Sequence, residues 1–244
     1  MIPRLLPGGL FVAGLLLGVP PATAATSTRG YTVVGFDRIR VDGPFDVTVR
    51  TGMAPSARAT GATTALDRIK VEVQNSTLVI KPDNTAWGGY PGGAVGKVSI
   101  ILTMADLSSA TLAGSGRLTI DRVRGPALEL GLGGAGMISI GQLAVDKLSL
   151  TITGSGNATL AGRADDGRFV LRGAGNLAAE GLIVRHADIV SAGAGTITLT
   201  ASESAKVTAA GTGDVNVLGK GNCTVNATGA GNVACGKPSA SSFR

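Results

Sequence analysis

The sequence predicts an all-β fold, a single-domain right-handed parallel β-helix with coils of about 18–20 residues and Gly-x-Gly corners. Three observations predict it. Gly-x-Gly recurs seven times at a nearly constant spacing. Apolar and polar residues alternate on both sides of each pair, the period of a strand with one buried face. The composition, with 38 Gly, 44% hydrophobic and only 3% aromatic residues, suits a core of Val, Ile, Leu and Ala in short strands joined by tight turns.

Taken in chain order, residues 1–24 read as a signal peptide. Arg4 supplies a positive start, residues 10–19 are an apolar stretch too short to span a bilayer comfortably, and Ala22-Thr23-Ala24 is a small-residue cleavage pattern. Cleavage before Ala25 takes the net charge from +6 to +5. Residues 25–31 read as a short N-terminal tail, 32–236 as the β-helix domain and 237–244 as a C-terminal tail. Residues 30–110 lack the glycine corner but keep the strands, and they read as opening coils and cap. FDRIRV (36–41) and FDVTVR (45–50) alternate around Asp42-Gly43-Pro44. RIKVEV (68–73) and STLVIK (76–81) alternate around Gln74-Asn75. KVSIILTM (97–104) is more continuously apolar. Between the last two, residues 84–96 form a Gly-rich loop that carries Trp87 and Tyr90.

The repeat follows. Its corners are Gly114 and Gly116, Gly134 and Gly136, Gly154 and Gly156, Gly173 and Gly175, Gly193 and Gly195, Gly211 and Gly213, and Gly229 and Gly231. Successive first glycines are 20, 20, 19, 20, 18 and 18 residues apart. Aligned on the corner, the inward positions form aliphatic ladders, such as Leu118, Ile138, Ala158, Leu177, Ile197, Val215 and Val233. The two glycines of each corner supply positive φ or close backbone approach between coils. Asn157, Asn176 and Asn232 share one outer position with Thr196 and Asp214, and stacked amides there can hydrogen-bond along the axis. The second corner of each coil is irregular, which is where a regular stack carries function. Cys223 and Cys235 fall on inward positions flanking the last corner. They predict a disulfide that closes the final coil, which stabilises by roughly 3 kcal/mol for a loop of this size.

Three ordered segments, GFDRIRVDGPFDVTVRTG (35–52), LDRIKVEVQNSTLVIKP (66–82) and VSIILTMADLSSATLAGSGRLTI (98–120), lead into these repeats. In that order they resemble the bacterial autotransporter adhesin head-GIN domain family over residues 32–235. One departure stands at Met104-Ala105-Asp106-Leu107, where the family usually has Pro before Leu; it leaves the fold reading intact. The resemblance implies a right-handed β-helix exported to the cell envelope or surface, and it brings no catalytic residues.

The chemistry-bearing residues point the same way. Residues 131–136 match G-x-G-x-x-G, but they fall in the repeat register and precede a strand, whereas a dinucleotide loop opens a helix. A calcium-binding glycine repeat needs half this period and an Asp at each turn, and only Asp214 takes the outer position. The Lys and Arg residues are scattered among acids with no interleaved aromatics, which argues against a nucleic-acid surface. Asp165, Asp166, Arg163 and Arg168 gather at one corner, and Arg185, His186 and Asp188 at the next. They read as a solvated, self-neutralising patch, and the alternative is a glycan-active lyase or hydrolase site. Trp87 and Tyr90 are the first place to look for partner contact. The expected function is therefore a non-catalytic, exported cell-envelope or surface binding module without cofactor or metal. Its expected partners are envelope or host glycans or surface proteins, and its expected location is periplasmic, outer-membrane-associated or extracellular. A purely structural envelope protein is the third alternative.

Overall fold

The computed structural model describes residues 26–83 and 97–236. Within them the chain runs β1 (Thr26–Tyr31), β2 (Arg38–Asp42), β3 (Asp46–Thr51), β4 (Ser56–Ala62), the one-turn helix α1 (Thr63–Leu66), β5 (Ile69–Gln74), β6 (Thr77–Pro82), β7 (Ser99–Met104) and β8 (Ser109–Gly114). It continues through the long strands β9 (Arg117–Gly134), β10 (Met137–Gly154), β11 (Asn157–Gly173), β12 (Asn176–Gly193) and β13 (Ile197–Ala209). It ends in β14 (Val215–Gly219), β15 (Asn222–Ala227) and β16 (Val233–Cys235).

From β8 onward the chain is a β-solenoid of parallel coils. Each coil pairs rung to rung with the next, so that Leu118, Ile138, Ala158 and Leu177 stand in one register column. Every second side chain turns inward, and the inward columns are sealed: Leu118, Ile138, Leu150, Leu160 and Leu199 are each at most 1% exposed. Coil volume is compensated locally. Phe169 is buried in the coil that carries Ala158 and Gly167, and a Cβ at Gly167 would sit 2.6 Å from the Phe169 ring.

At the corner of Gly173 and Gly175 the two glycines have different roles. Gly173 has φ +121°, a region that favours glycine. Gly175 needs space instead, because a Cβ there would collide with the carbonyl oxygen of Gly156 on the coil below. The hydrogen-bond ladder continues through the bend, with Ala174 N–H donating to Gly154 O at 2.9 Å and Asn176 N–H to Gly156 O at 3.1 Å. The outer Asn ladder forms as well. Asn176 Nδ2 donates to Asn157 Oδ1 at 3.0 Å, and Thr196 N–H donates to Asn176 Oδ1 at 3.0 Å. The opposite corner is irregular, with register shifts between Ile140 and Leu143 and between Thr159 and Gly162.

The N-terminal third forms coils and cap, but not in chain order. The β2–β3 coil pairs with β8 and β9 on one side and with β6 and β7 on the other. The first coil, β2–β3, therefore sits one coil inside the end; the chain then travels outward to build the end, where β1 lies on the outer edge beyond β4, and returns past β2–β3 to start the repeat. β5 and β6 make an antiparallel hairpin turning at Asn75 and Ser76, both with positive φ (48° and 61°). Residues 26–31, expected as part of a tail, are a strand. β1 lies antiparallel on β4, and β4 antiparallel on β7. No apolar pattern announces β1, because its residues are only half-buried at best and it is held by backbone pairing.

At the far end Cys223 and Cys235 form the disulfide, with Cα atoms 6.3 Å apart. Their register partners, Ala205 and Val217, are core residues, so both cysteines do occupy inward columns. They are nevertheless not sealed. Cys223 is half-buried and Cys235 exposed, because among the described residues no further coil covers them. The signal-peptide, C-terminal-tail and 84–96 loop expectations concern residues outside those described.

Candidate functional site

Strand alternation that buries one column exposes its two neighbours, and stacking turns each into a ridge parallel to the solenoid axis. Seven residues before the first glycine of successive copies stand Ala127, Lys147, Asp166 and His186. Five before it stand Ser109, Glu129, Ser149, Arg168 and Asp188. Between the two ridges lie Leu128, Leu148 and Ala187, whose side chains turn inward, with Gly167 in the same column; the leucines are only 1–2% exposed. The result is a groove of about 870 Å³, lined at one end by Arg38, which pairs in register with Ser109. Ser109 to Asp188 spans four rung steps, so the groove is about 20 Å long at a rung spacing of ~4.8 Å.

The lining is charge-balanced: Arg38, Lys147 and Arg168 against Glu129, Asp166 and Asp188. Arg168 Nη1 donates to Asp188 Oδ2 at 2.7 Å, across adjacent rungs of one ridge. Beside the groove, Arg185 is held between two acids, with Nε donating to Glu203 Oε1 at 2.7 Å and Nη1 3.7 Å from Asp165 Oδ1. The hydrogen bond from Arg185 holds the Glu203 carboxyl below the usual carboxylate range, against a partial opposing effect of desolvation. The same hydrogen bond, with the Glu203 and Asp165 charges, raises the Arg185 pKa above its ordinary value. His186 Nδ1 lies 3.0 Å from Ser204 Oγ, and Nε2 lies 3.5 Å from Glu203 Oε2.

This arrangement can hydrogen-bond an extended ligand along its length. Glu203 is shifted in the direction opposite to that of a general acid, which needs a raised pKa. Among the described residues no three His, Cys, Asp or Glu side chains are grouped to hold a metal ion.

The charged cluster expected over residues 163–188 is only partly brought together. Asp166, Arg168, His186 and Asp188 line the groove and Asp165 pairs with Arg185. Arg163 instead stands on the other corner of the coil, in a different cleft. Trp87 and Tyr90 lie outside the described residues. Sequence reasoning missed the groove columns and Glu203. The columns carry the same 20, 20, 19 and 20 spacing as the corners, so extending the alignment outward to polar positions would have found them. Glu203 follows Arg185 by 18 residues, where the coil shortens and a fixed period misses it.

A family model described as "Putative auto-transporter adhesin, head GIN domain" matches residues 35–221. Among curated proteins none matches. Several crystal structures share the fold. One is a putative adhesin from Bacteroides fragilis, 24% identical over 87% of this chain and 97% of that one, with a TM-score of 0.81. Another is a putative adhesin from Parabacteroides distasonis, 20% identical over 86% and 97%, with a TM-score of 0.67. A third, from the same species, is described as a putative lipid binding protein and is 21% identical over 88% and 97%, with a TM-score of 0.62.

Proposed function

Because the chain belongs to the family described as "Putative auto-transporter adhesin, head GIN domain", we propose that it is an exported, non-catalytic adhesin that holds a linear, uncharged surface glycan in the axis-parallel groove. The observation that carries this reading is the groove itself, about 870 Å³ and walled by two polar ridges that advance one rung at a time. Such walls offer donors and acceptors at regular intervals to an extended chain. The balanced lining favours a ligand without net charge, since a charged one leaves part of the wall uncompensated. Export is supported by the disulfide and by the charged, apolar and Ala-Thr-Ala pattern of residues 1–24. Trp87 and Tyr90 are proposed as an additional contact.

The test is a panel of neutral envelope and host glycans presented to the mature protein, with binding and cleavage scored separately. Retention without new reducing ends is expected, as is loss of retention in Ser149→Trp, which fills the groove from a wall position. Release of shortened glycan would overturn the non-catalytic reading, and unchanged retention in Ser149→Trp would overturn the groove. N-terminal sequencing of the exported protein is expected to begin at Ala25; a product starting at Met1 would overturn the export signal.

A further inference from the structure

A second concave surface lies on the corner where Arg163 stands, and its charge is not balanced. Arg124, Ala144, Arg163 and Ile183 occupy one outward column on successive rungs. The small Ala144 leaves a gap between the two arginines, and a cleft of about 660 Å³ opens there, with Gln142 and Gly162 also lining it. Gly162 has φ +133°, and a Cβ there would strike the backbone of Leu143, so the cleft wall is kept bare by a position that requires glycine. No acid lines this cleft. Among the described residues neither Arg124 nor Arg163 has an ion pair or side-chain hydrogen bond, in contrast to Arg168 and Arg185.

The positive strip extends further along the axis. An adjoining cleft of about 490 Å³ shares Arg124 and adds Arg50 and Arg122, with Asp106 and Asp121 as its acids. Asp121 is already engaged, because its Oδ1 accepts from the backbone N–H of Arg122 at 2.6 Å and of Thr51 at 3.2 Å. Ile183, 52% exposed, supplies an apolar surface at the other end.

We propose that this strip binds an acidic linear polysaccharide, with Arg124 and Arg163 each gripping one carboxylate of the chain. Guanidinium forks match carboxylates in bidentate geometry and are the donors suited to such pairing. The two arginines are two rungs apart, about 10 Å between Cα atoms, so they address a chain that carries charge at intervals along its length rather than one isolated ion. Their cleft is concave, whereas a membrane surface is met by a flat basic face. Ile183 is placed to receive the apolar face of a sugar ring. This site is independent of the groove described above, with no lining residue in common.

Calorimetric titration of the mature protein with oligogalacturonate tests it. The Arg124→Ala/Arg163→Ala double variant is expected to lose about tenfold or more in affinity. Ala144→Trp, which keeps both charges but fills the gap, is expected to lose a similar factor while retaining its thermal melt. The Arg117→Ala/Arg172→Ala control, equal in charge change but outside the cleft, is expected to stay within about twofold, since it leaves only diffuse attraction altered. Ser149→Trp is expected to leave this binding unchanged. Absence of oligogalacturonate binding, or an equal loss in the two arginine pairs, would overturn the proposal. So would an Arg124 and Arg163 dependence seen with phosphatidylglycerol vesicles but not with the oligomer.

Discussion

At Gly175 the chain passes so close to the preceding coil that even a methyl group would collide with the carbonyl oxygen of Gly156. Gly175→Ala is expected to lower the unfolding free energy by about 2 kcal/mol or more, read from the urea midpoint, because the methyl is fixed to its Cα and the oxygen it meets is backbone, so neither can rotate away. Gly30→Ala is the internal comparison. Nothing lies within 4 Å of its added Cβ, so a change beyond about 0.5 kcal/mol there would undo the steric argument. Charged residues give a second prediction at this scale. Hydrogen bonding to Arg185 depresses the Glu203 pKa, and hydrogen bonding to Lys70 and then Lys81 depresses that of Glu72. A carboxyl with a depressed folded-state pKa contributes stability above its unfolded pKa and loses it as pH falls through the folded value. The melting temperature is therefore expected to fall as pH drops below roughly 4, and the double variant Glu72→Gln/Glu203→Gln to flatten that decline. An equally steep acid limb in the variant would assign the decline to other groups. The Asn ladder was legible in the sequence because its members keep the corner register. The Arg185–Glu203 pair was not, because the irregular corner shifts the spacing there.

The elements show which part of the architecture alternation can specify. A period of 2 tells which face of a strand is buried, and it places β9 to β12 correctly because each copy repeats its neighbour. It does not say which strand lies beside which. Nothing in FDRIRV and FDVTVR distinguishes a coil that begins the stack from one sitting beneath β6 and β7, so the inversion at the N-terminal end was hidden. The last coil was easier to read, because the cysteines mark its ends. That coil is the most exposed: β15 pairs only with β13, and Val225 is 45% accessible where its register partner Val207 is fully buried. The disulfide closes a 12-residue separation and so restrains the segment with the least packing. Reduction is expected to be a local event. Amide exchange should accelerate in residues 222–235 while β10, β11 and β12 keep their protection, because coils in a solenoid support only their neighbours. Equal loss of protection along the whole stack on reduction would show that the end coil controls global unfolding.

At the scale of the molecule, the groove and the arginine cleft belong to no single element; each is a column property that appears only when coils are stacked in register. The residues that make them were visible, at the repeat spacing, but ordinary as Ser, Glu, Lys and Arg on a solvated face, and only the third dimension shows which columns flank a concavity. The same modularity makes a strong prediction. Removing residues 137–156 deletes one coil and joins Gly136 to Asn157, so that β9 can pair with β11 in the register it now makes with β10. The inward ladders remain continuous, with Leu118 meeting Ala158, Leu130 meeting Phe169 and Leu132 meeting Leu171. The shortened protein is expected to keep a β-rich circular dichroism spectrum and a cooperative melt, with stability reduced by about one coil's share. The groove loses Lys147, Leu148 and Ser149, and Arg124 moves onto the rung beside Arg163, closing the gap that Ala144 held open. Glycan retention at both sites is therefore expected to fall although the fold persists. Deleting residues 137–146 alone is the counterpart. It removes half a coil, brings an outer-column position under an inner one, and is expected to abolish cooperative unfolding. If the whole-coil deletion failed to fold while the half-coil deletion folded, the coil would not be the unit from which this molecule is built.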